Sequence, residues 1–199
     1  MAFRSSVRTG TPADLLVVGL GNPGEEYAGT RHNLGGEVIA RLAARHGGRL
    51  KAGKERAHSC EVRVAAKLVA LAFPQTFMNL SGESVRMLVK RHGVEEPGRI
   101  VVVHDELDLP SGRVKVKVGG GTAGNNGLKS IQAHLSSADF VRIRIGIGKP
   151  PGQGTGADYV LKRPGKAERV LLDVACEIAA DAVETIVRDG VERAMNTYN

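Results

Sequence analysis

Two kinds of apolar pattern alternate along this chain, and together they predict an α/β fold. Leu15-Leu16-Val17-Val18 is an unbroken apolar run closed by Gly19, as expected of a central strand buried on both faces. The Gly-, Asn- and Pro-rich stretch from Gly19 to Asn33 then reads as a long loop. From Leu34 to His46, Val38, Ile39, Leu42 and Ala43 recur at helical spacing before Gly47-Gly48 stops the helix. Residues 57–64 and 67–73 predict a strand hairpin around Ala65-Ala66. A second helix is expected to start near Ser81 or Gly82, with Val85, Leu88 and Val89 on one face, and to end at Gly93.

Ile100-Val101-Val102-Val103 predicts a second buried strand ending at His104-Asp105. Residues 113–118 (RVKVKV) alternate valine with basic residues, as in a strand with one face on the core. A glycine-rich loop, Gly119 to Gly127, leads to a helix expected around Leu128. Val141 to Ile147 alternates again, and residues 151–157 (PGQGTGA) read as a flexible loop. The last predicted helix covers about 166–189, with Val170, Val174, Ile178, Ala182 and Ile186 as its apolar stripe. The sum is a single-domain three-layer α/β fold over residues 15–199, a twisted mixed sheet with helices on both faces. Residues 1–14 are expected to be a flexible, solvated tail. They contain no apolar core of the kind a secretory signal needs, and no stretch reaches the roughly 18 apolar residues of a membrane span.

Composition adds a partner class. The 28 Lys and Arg outnumber 21 Asp and Glu, giving a net charge of +7 and favouring polyanions such as nucleic acid. Aromatics make up only 4% and Trp is absent, which argues against a surface that stacks several unpaired bases. If RNA binds, its phosphates and shape should dominate. Cys60 and Cys176 lie far apart without paired spacing, so both are expected to be reduced core residues of a cytoplasmic protein.

Polar residues collect where strands end: Asn22, His32, Asn79, Asp105 and Asn126 all fall at strand ends or in the loops beyond them, where sites form in open α/β sheets. Gly19-Leu20-Gly21-Asn22-Pro23-Gly24 has the formal spacing of a dinucleotide fingerprint. Pro23 and Glu25-Glu26-Tyr27 open no helix there, and about twenty residues on, where a ribose-binding carboxylate should end a second strand, the chain is still in the Leu34–His46 helix, so a tight turn is the better reading and no cofactor is expected. His32, flanked by Arg31 and Asn33, is a candidate base, against the common alternative of a packed histidine. His104-Asp105-Glu106-Leu107-Asp108 could ligate a metal, but no matching His or Cys set exists elsewhere. A carboxylate that orients His32 is more economical, so no metal is expected. The Gly119–Gly127 loop lacks a Gly-Lys-Ser/Thr ending, which excludes a P-loop and leaves a loop whose N–H groups and Asn side chains can approach a substrate, or one with no role.

Taken together, GLGNPGEEYAGTRHN (19–33), FMNLSG (77–82), HDELDLPSG (104–112), KVKVGGG (115–121), NGLKSI (126–131) and RIRIGIGKP (142–150) resemble the bacterial peptidyl-tRNA hydrolase family, in order and spacing, from about residue 15 to the C-terminus. The resemblance implies hydrolysis of the ester between a peptide and tRNA. It implies His32 as catalytic base and Asp105 as its orienting carboxylate. Asn22, Tyr27, Phe77, Asn79 and Asn126 would bind substrate, Asn126 also helping to place the attacking water. Lys115, Lys117 and Arg144 would face tRNA phosphates of the acceptor stem and 3′ end. One position departs: many members read Gly-His-Asn-Gly where this chain has Gly124-Asn125-Asn126-Gly127, so an accessory imidazole is replaced by an amide that cannot take a proton. The main alternative is a catalytically weak or silent RNA-binding homologue on the same scaffold; a dinucleotide-dependent oxidoreductase is the other. A monomer is expected, because no helix shows a second apolar stripe.

Overall fold

A computed structural model describes residues 12–199. Seven strands among them form one mixed sheet in the order β2-β3-β4-β1-β5-β7-β6. These are β1 (Leu15–Gly19), β2 (Lys51–Ala52), β3 (Ala57–Val64), β4 (Lys67–Pro74), β5 (Ile100–Glu106), β6 (Val114–Val118) and β7 (Val141–Gly146). β4, β1, β5 and β7 run parallel at the centre, while β3 pairs antiparallel with β4 and β6 with β7 at the two sides. The expected hairpin forms, with Ala65 and Ala66 both at positive φ in its turn.

Helices cover both faces. α1 (Leu34–Arg45), α5 (Lys166–Asp189) and α6 (Val191–Tyr198) pack on one side, around the cluster that includes Val17, Ile39, Val103 and Ile143. α2 (Ser81–His92) and α3 (Asn126–Leu135) close the other, around Leu16, Val18, Val102, Leu88 and Ile131. Alternate residues of one strand therefore serve two cores, and each buried Val, Leu or Ile contributes roughly 1.5–3 kcal/mol. α2 ends where expected, on Gly93 in the left-handed region.

The glycines after β1 allow close packing. A Cβ on Gly19 would lie 2.0 Å from the Gly35 carbonyl oxygen, and one on Gly35 would lie 2.3 Å from that of Val103. α1 is thus pressed directly onto the ends of β1 and β5, and the loop before it is spent reaching that position.

The structure corrects several expectations. Residues 1–11 of the expected tail lie outside the described residues, but Ala13 and Asp14 are pinned: Ala13 donates to the His92 carbonyl, and Asp14 exchanges hydrogen bonds with Leu68. Gly156 and Ala157 are not loop but the start of a short helix, α4 (Gly156–Val160), capped by the Thr155 side chain. β2 and α6 were not foreseen. On α5, Val170 and Val174 are exposed, whereas Leu172, Cys176, Ala179 and Val183 are buried. A strict four-residue repeat advances about 40° per step around a 3.6-residue helix, so the expected stripe winds off the buried face toward its N-terminal end. With Leu171 also exposed, α5 does carry apolar surface outside the core, and the premise behind the monomer expectation fails. Cys176 is buried as expected, with its thiol pushed up to about 12 by burial, but Cys60 is only half-buried. No described helix is long and apolar enough to cross a membrane.

Candidate active site

At the carboxyl ends of β1, β4 and β5 lies a cavity of about 560 Å³. Its lining includes Asn22, His32, Phe77, Asn79, Asp105 and Asn126, side chains far apart in the chain. A tight turn at Arg31–Asn33, just before α1, presents His32. β5 runs through His104-Asp105, where the strand was expected to end, to Glu106, and its alternation decides where the acidic residues go. Val101 and Val103 face the α1 side, so Asp105 does too, while His104 and Glu106 face the other way. His32 Nδ1 lies 2.9 Å from Asp105 Oδ1 and 3.1 Å from Oδ2, across 73 positions of sequence.

The pair is largely out of solvent, with side chains 13% and 3% exposed for His32 and Asp105. Burial opposes a charged imidazole, but the charge of Asp105 and its hydrogen bond prevail, so the His32 pKa is raised above the ordinary 6.5. The neighbouring His104 moves the opposite way. Burial lowers its pKa, and its Nδ1 donates to the Asp105 carbonyl at 2.7 Å, so it stays neutral and supports the Asp105 backbone. His104, Asp105 and Glu106 thus have separate partners, the last receiving Arg144 Nε at 3.1 Å.

Asparagines fix the approach to this pair. Asn33 and Asn22 exchange hydrogen bonds at 2.8 and 2.9 Å, locking the loop before α1. Asn22 Oδ1 accepts from the Met78 N–H at 2.7 Å, which leaves its NH₂ as the end free for a ligand. Asn79, Phe77 and Asn126 are exposed at the rim. Tyr27 does not line the cavity; it packs edge-on against Phe77, with ring centroids 6.5 Å apart. α3 begins at Asn126, two residues earlier than expected, because Asn125 caps it: Oδ1 accepts from the Leu128 N–H at 3.0 Å. With Oδ1 engaged in the cap, the NH₂ of Asn125 is the end left free to donate.

A second hollow of about 240 Å³ adjoins the first and shares His104, Glu106 and Ala123 with it. Antiparallel register between β6 and β7 sets Lys115 opposite Arg144 and Lys117 opposite Arg142. Their valine and isoleucine neighbours face the α5 core, so these four cations share the opposite face. Arg142 escaped the sequence analysis. It is buried, stacks over Phe140, and donates to the carbonyls of Gly121 and Gly120 at 2.5 and 2.7 Å, anchoring the glycine loop. Only its place in an alternating strand, paired with the basic RVKVKV run, could have signalled this.

The three-layer α/β fold thus carries a carboxylate-paired imidazole in a cleft beside a basic strand edge, an arrangement chemically able to take a proton from water next to a surface that attracts anions. The comparisons are specific. The peptidyl-tRNA hydrolase family model matches residues 16–199, and the chain belongs to that family. A peptidyl-tRNA hydrolase of Frankia alni is 48% identical over 194 residues, covering 96% of this chain and 98% of that one. One of Rhodococcus opacus is 50% identical, covering 91% and 95%. The crystal structure of the Acinetobacter baumannii peptidyl-tRNA hydrolase superposes with a TM-score of 0.87 at 38% identity, covering 98% of this chain and 97% of that one.

Proposed function

We propose that this protein hydrolyses the ester joining a peptide, or an N-blocked aminoacyl group, to a tRNA ribose, and that His32 is the base. The observation that carries the reading is the 2.9 Å contact between His32 Nδ1 and Asp105 at the cavity wall. Nδ1–H donates to the carboxylate, which fixes the tautomer and leaves the Nε2 lone pair to take a proton from water. As that water attacks the carbonyl, negative charge grows on its oxygen, and the free NH₂ of Asn22 is a donor already held in place for it. Asn79 and Asn126 hold the peptide at the rim, Asn126 also placing the water, while Phe77, braced by Tyr27, offers an apolar face. No serine or cysteine lines the cavity, and the hydroxyl that does, Thr122, makes no hydrogen bond to His32, whose ring bonds Asp105; in this reading water attacks directly and no acyl-enzyme forms.

Lys115, Lys117 and Arg144 bind phosphates of the acceptor stem and 3′ end, and the shared wall of the two hollows lets the ester reach His32 from that face. His32, Asp105 and the asparagines all come from one chain, so a monomer suffices. Two unpaired cysteines suit a reducing cytoplasm, where translation supplies the substrate.

The test is release of N-blocked aminoacyl groups from tRNA by the purified protein. The expected loss for His32→Ala is about 10²–10⁴-fold in kcat with normal folding. A near-native turnover by that variant would remove His32 from its role, and binding without turnover by the wild type would leave a silent RNA-binding homologue.

A further inference from the structure

The turn that carries His32 also carries Arg31, and the two side chains leave it in different directions. Arg31 is 93% buried by its 7% exposure, yet it points at neither the ester site nor the basic edge. Its Nε and Nη2 donate to the two oxygens of Glu168, in the first turn of α5, at 2.9 and 2.6 Å. Its Nη1 donates to the carbonyls of Tyr159 and Lys162, and its backbone N–H to Lys162 as well. The guanidinium lies 4.0 Å from the centre of the Tyr159 ring, whose hydroxyl donates to the Ile147 carbonyl at 2.9 Å.

All these partners except Glu168 belong to α4 and the residues directly after it. α4 is a wall between two hollows. Gly156, Ala157, Val160 and Leu161 line the cavity that holds His32, whereas Thr155, Asp158, Tyr159 and Lys162 line a separate hollow behind it. A five-residue helix cannot hold a position by its own hydrogen bonds. Its place depends on what grips it from outside, and a buried, bidentate, stacked arginine is a strong grip.

We propose that Arg31 and Glu168 are positioning residues that set α4 against the side chain of the residue esterified to tRNA, making them determinants of substrate specificity. The proposal rests on the reading of the cavity as the ester site. With α4 held, Val160 and Leu161 meet an apolar side chain next to the ester, in a cavity that Phe77 and Met78 also line. A glycine in that position has nothing for them to pack against. Loosening α4 should therefore weaken binding of bulky substrates and leave glycine substrates alone. Because Asp105 holds His32 independently, the chemical step should persist.

The experiment uses one tRNA body charged with either N-blocked glycine or N-blocked leucine. Glu168→Gln keeps the shape of the side chain but replaces a charged pair by a neutral one. The expected result is a KM for the leucyl substrate raised about fivefold, with that for the glycyl substrate changed by less than about twofold. The kcat values and the pH midpoint should stay put. Arg31→Lys, which keeps the charge and loses the fork and the stacking, should move the leucyl-to-glycyl KM ratio in the same direction. Equal KM changes for both substrates, an effect confined to kcat, or no change at all would overturn the proposal. Any of these would leave the assignment of His32 standing, because that assignment is tested separately by the turnover of His32→Ala.

Discussion

At the cleft, His32 and Asp105 are nearly shut off from solvent and share one short contact; in the adjoining hollow on β6 and β7, Lys117 is exposed and no acidic side chain among the described residues pairs with it. Both regions are electrostatic devices, but the surroundings give them different uses. Unit charges about 4 Å apart interact by roughly 1 kcal/mol in water and about 4 kcal/mol at the effective dielectric of a protein surface. A pair so largely out of solvent can therefore retune a proton acceptor, while exposed cations work in a medium that screens them within about 8 Å at physiological salt. Buried charge confers direction at one atom, and exposed charge attracts a polyanion without fixing any single atom.

The contrast can be broken most forcibly at Asp105. Asp105→Asn should lower kcat by about 10²–10⁴-fold, because an amide can donate to Nδ1 and turn the Nε2 lone pair into an N–H. The sign of the accompanying pH effect follows from the shift. The base works deprotonated, so activity rises with pH through the His32 pKa, which Asp105 holds above the ordinary 6.5. Without that charge, residual activity should reach half its plateau at lower pH than in the wild type. A midpoint that stays where it was would mean that another group sets the profile.

A smaller effect of a different kind is expected at the edge. Lys115→Ala or Lys117→Ala should raise KM severalfold at physiological salt, leave kcat alone, and lower the salt slope of binding by about 0.7–0.9 per contact. A fall in kcat alone would place these lysines in the chemistry and erase the division between the two regions. The smallest effect lies between the regions, at Asn125. Asn125→Ala should destabilise the protein by about 1 kcal/mol through the lost cap of α3, read as a lower Tm. Asn125→Asp keeps the cap but removes the cavity-facing donor, so it should hold Tm and raise KM; unchanged KM would show that this amide serves the helix alone.

How much of this was legible beforehand differs by element. β1, β5 and α1 were readable because an unbroken apolar run and a 3.6-residue repeat each bury in one way only. α4 was not, since Gly156-Ala157-Asp158 has no apolar period and its helix depends on a Thr155 cap and on Arg31 from a distant turn. The stripe on α5 misled because a four-residue spacing resembles one helical face over two turns and drifts from it over the whole helix.

For the site, the chain order of GLGNPG, TRHN, FMNLSG and HDELD was enough to indicate which residues matter and which family they resemble. Which residues touch was a matter of tertiary structure. Strand parity turned Asp105 and not Glu106 toward His32, the glycines at 19 and 35 let α1 press its turn onto the strand ends, and β6–β7 register gathered the cations. Residue type and spacing are local properties that a linear sequence records directly. A contact across 73 positions exists only once the sheet has been assembled in order, and that order is set by the packing of two cores at once.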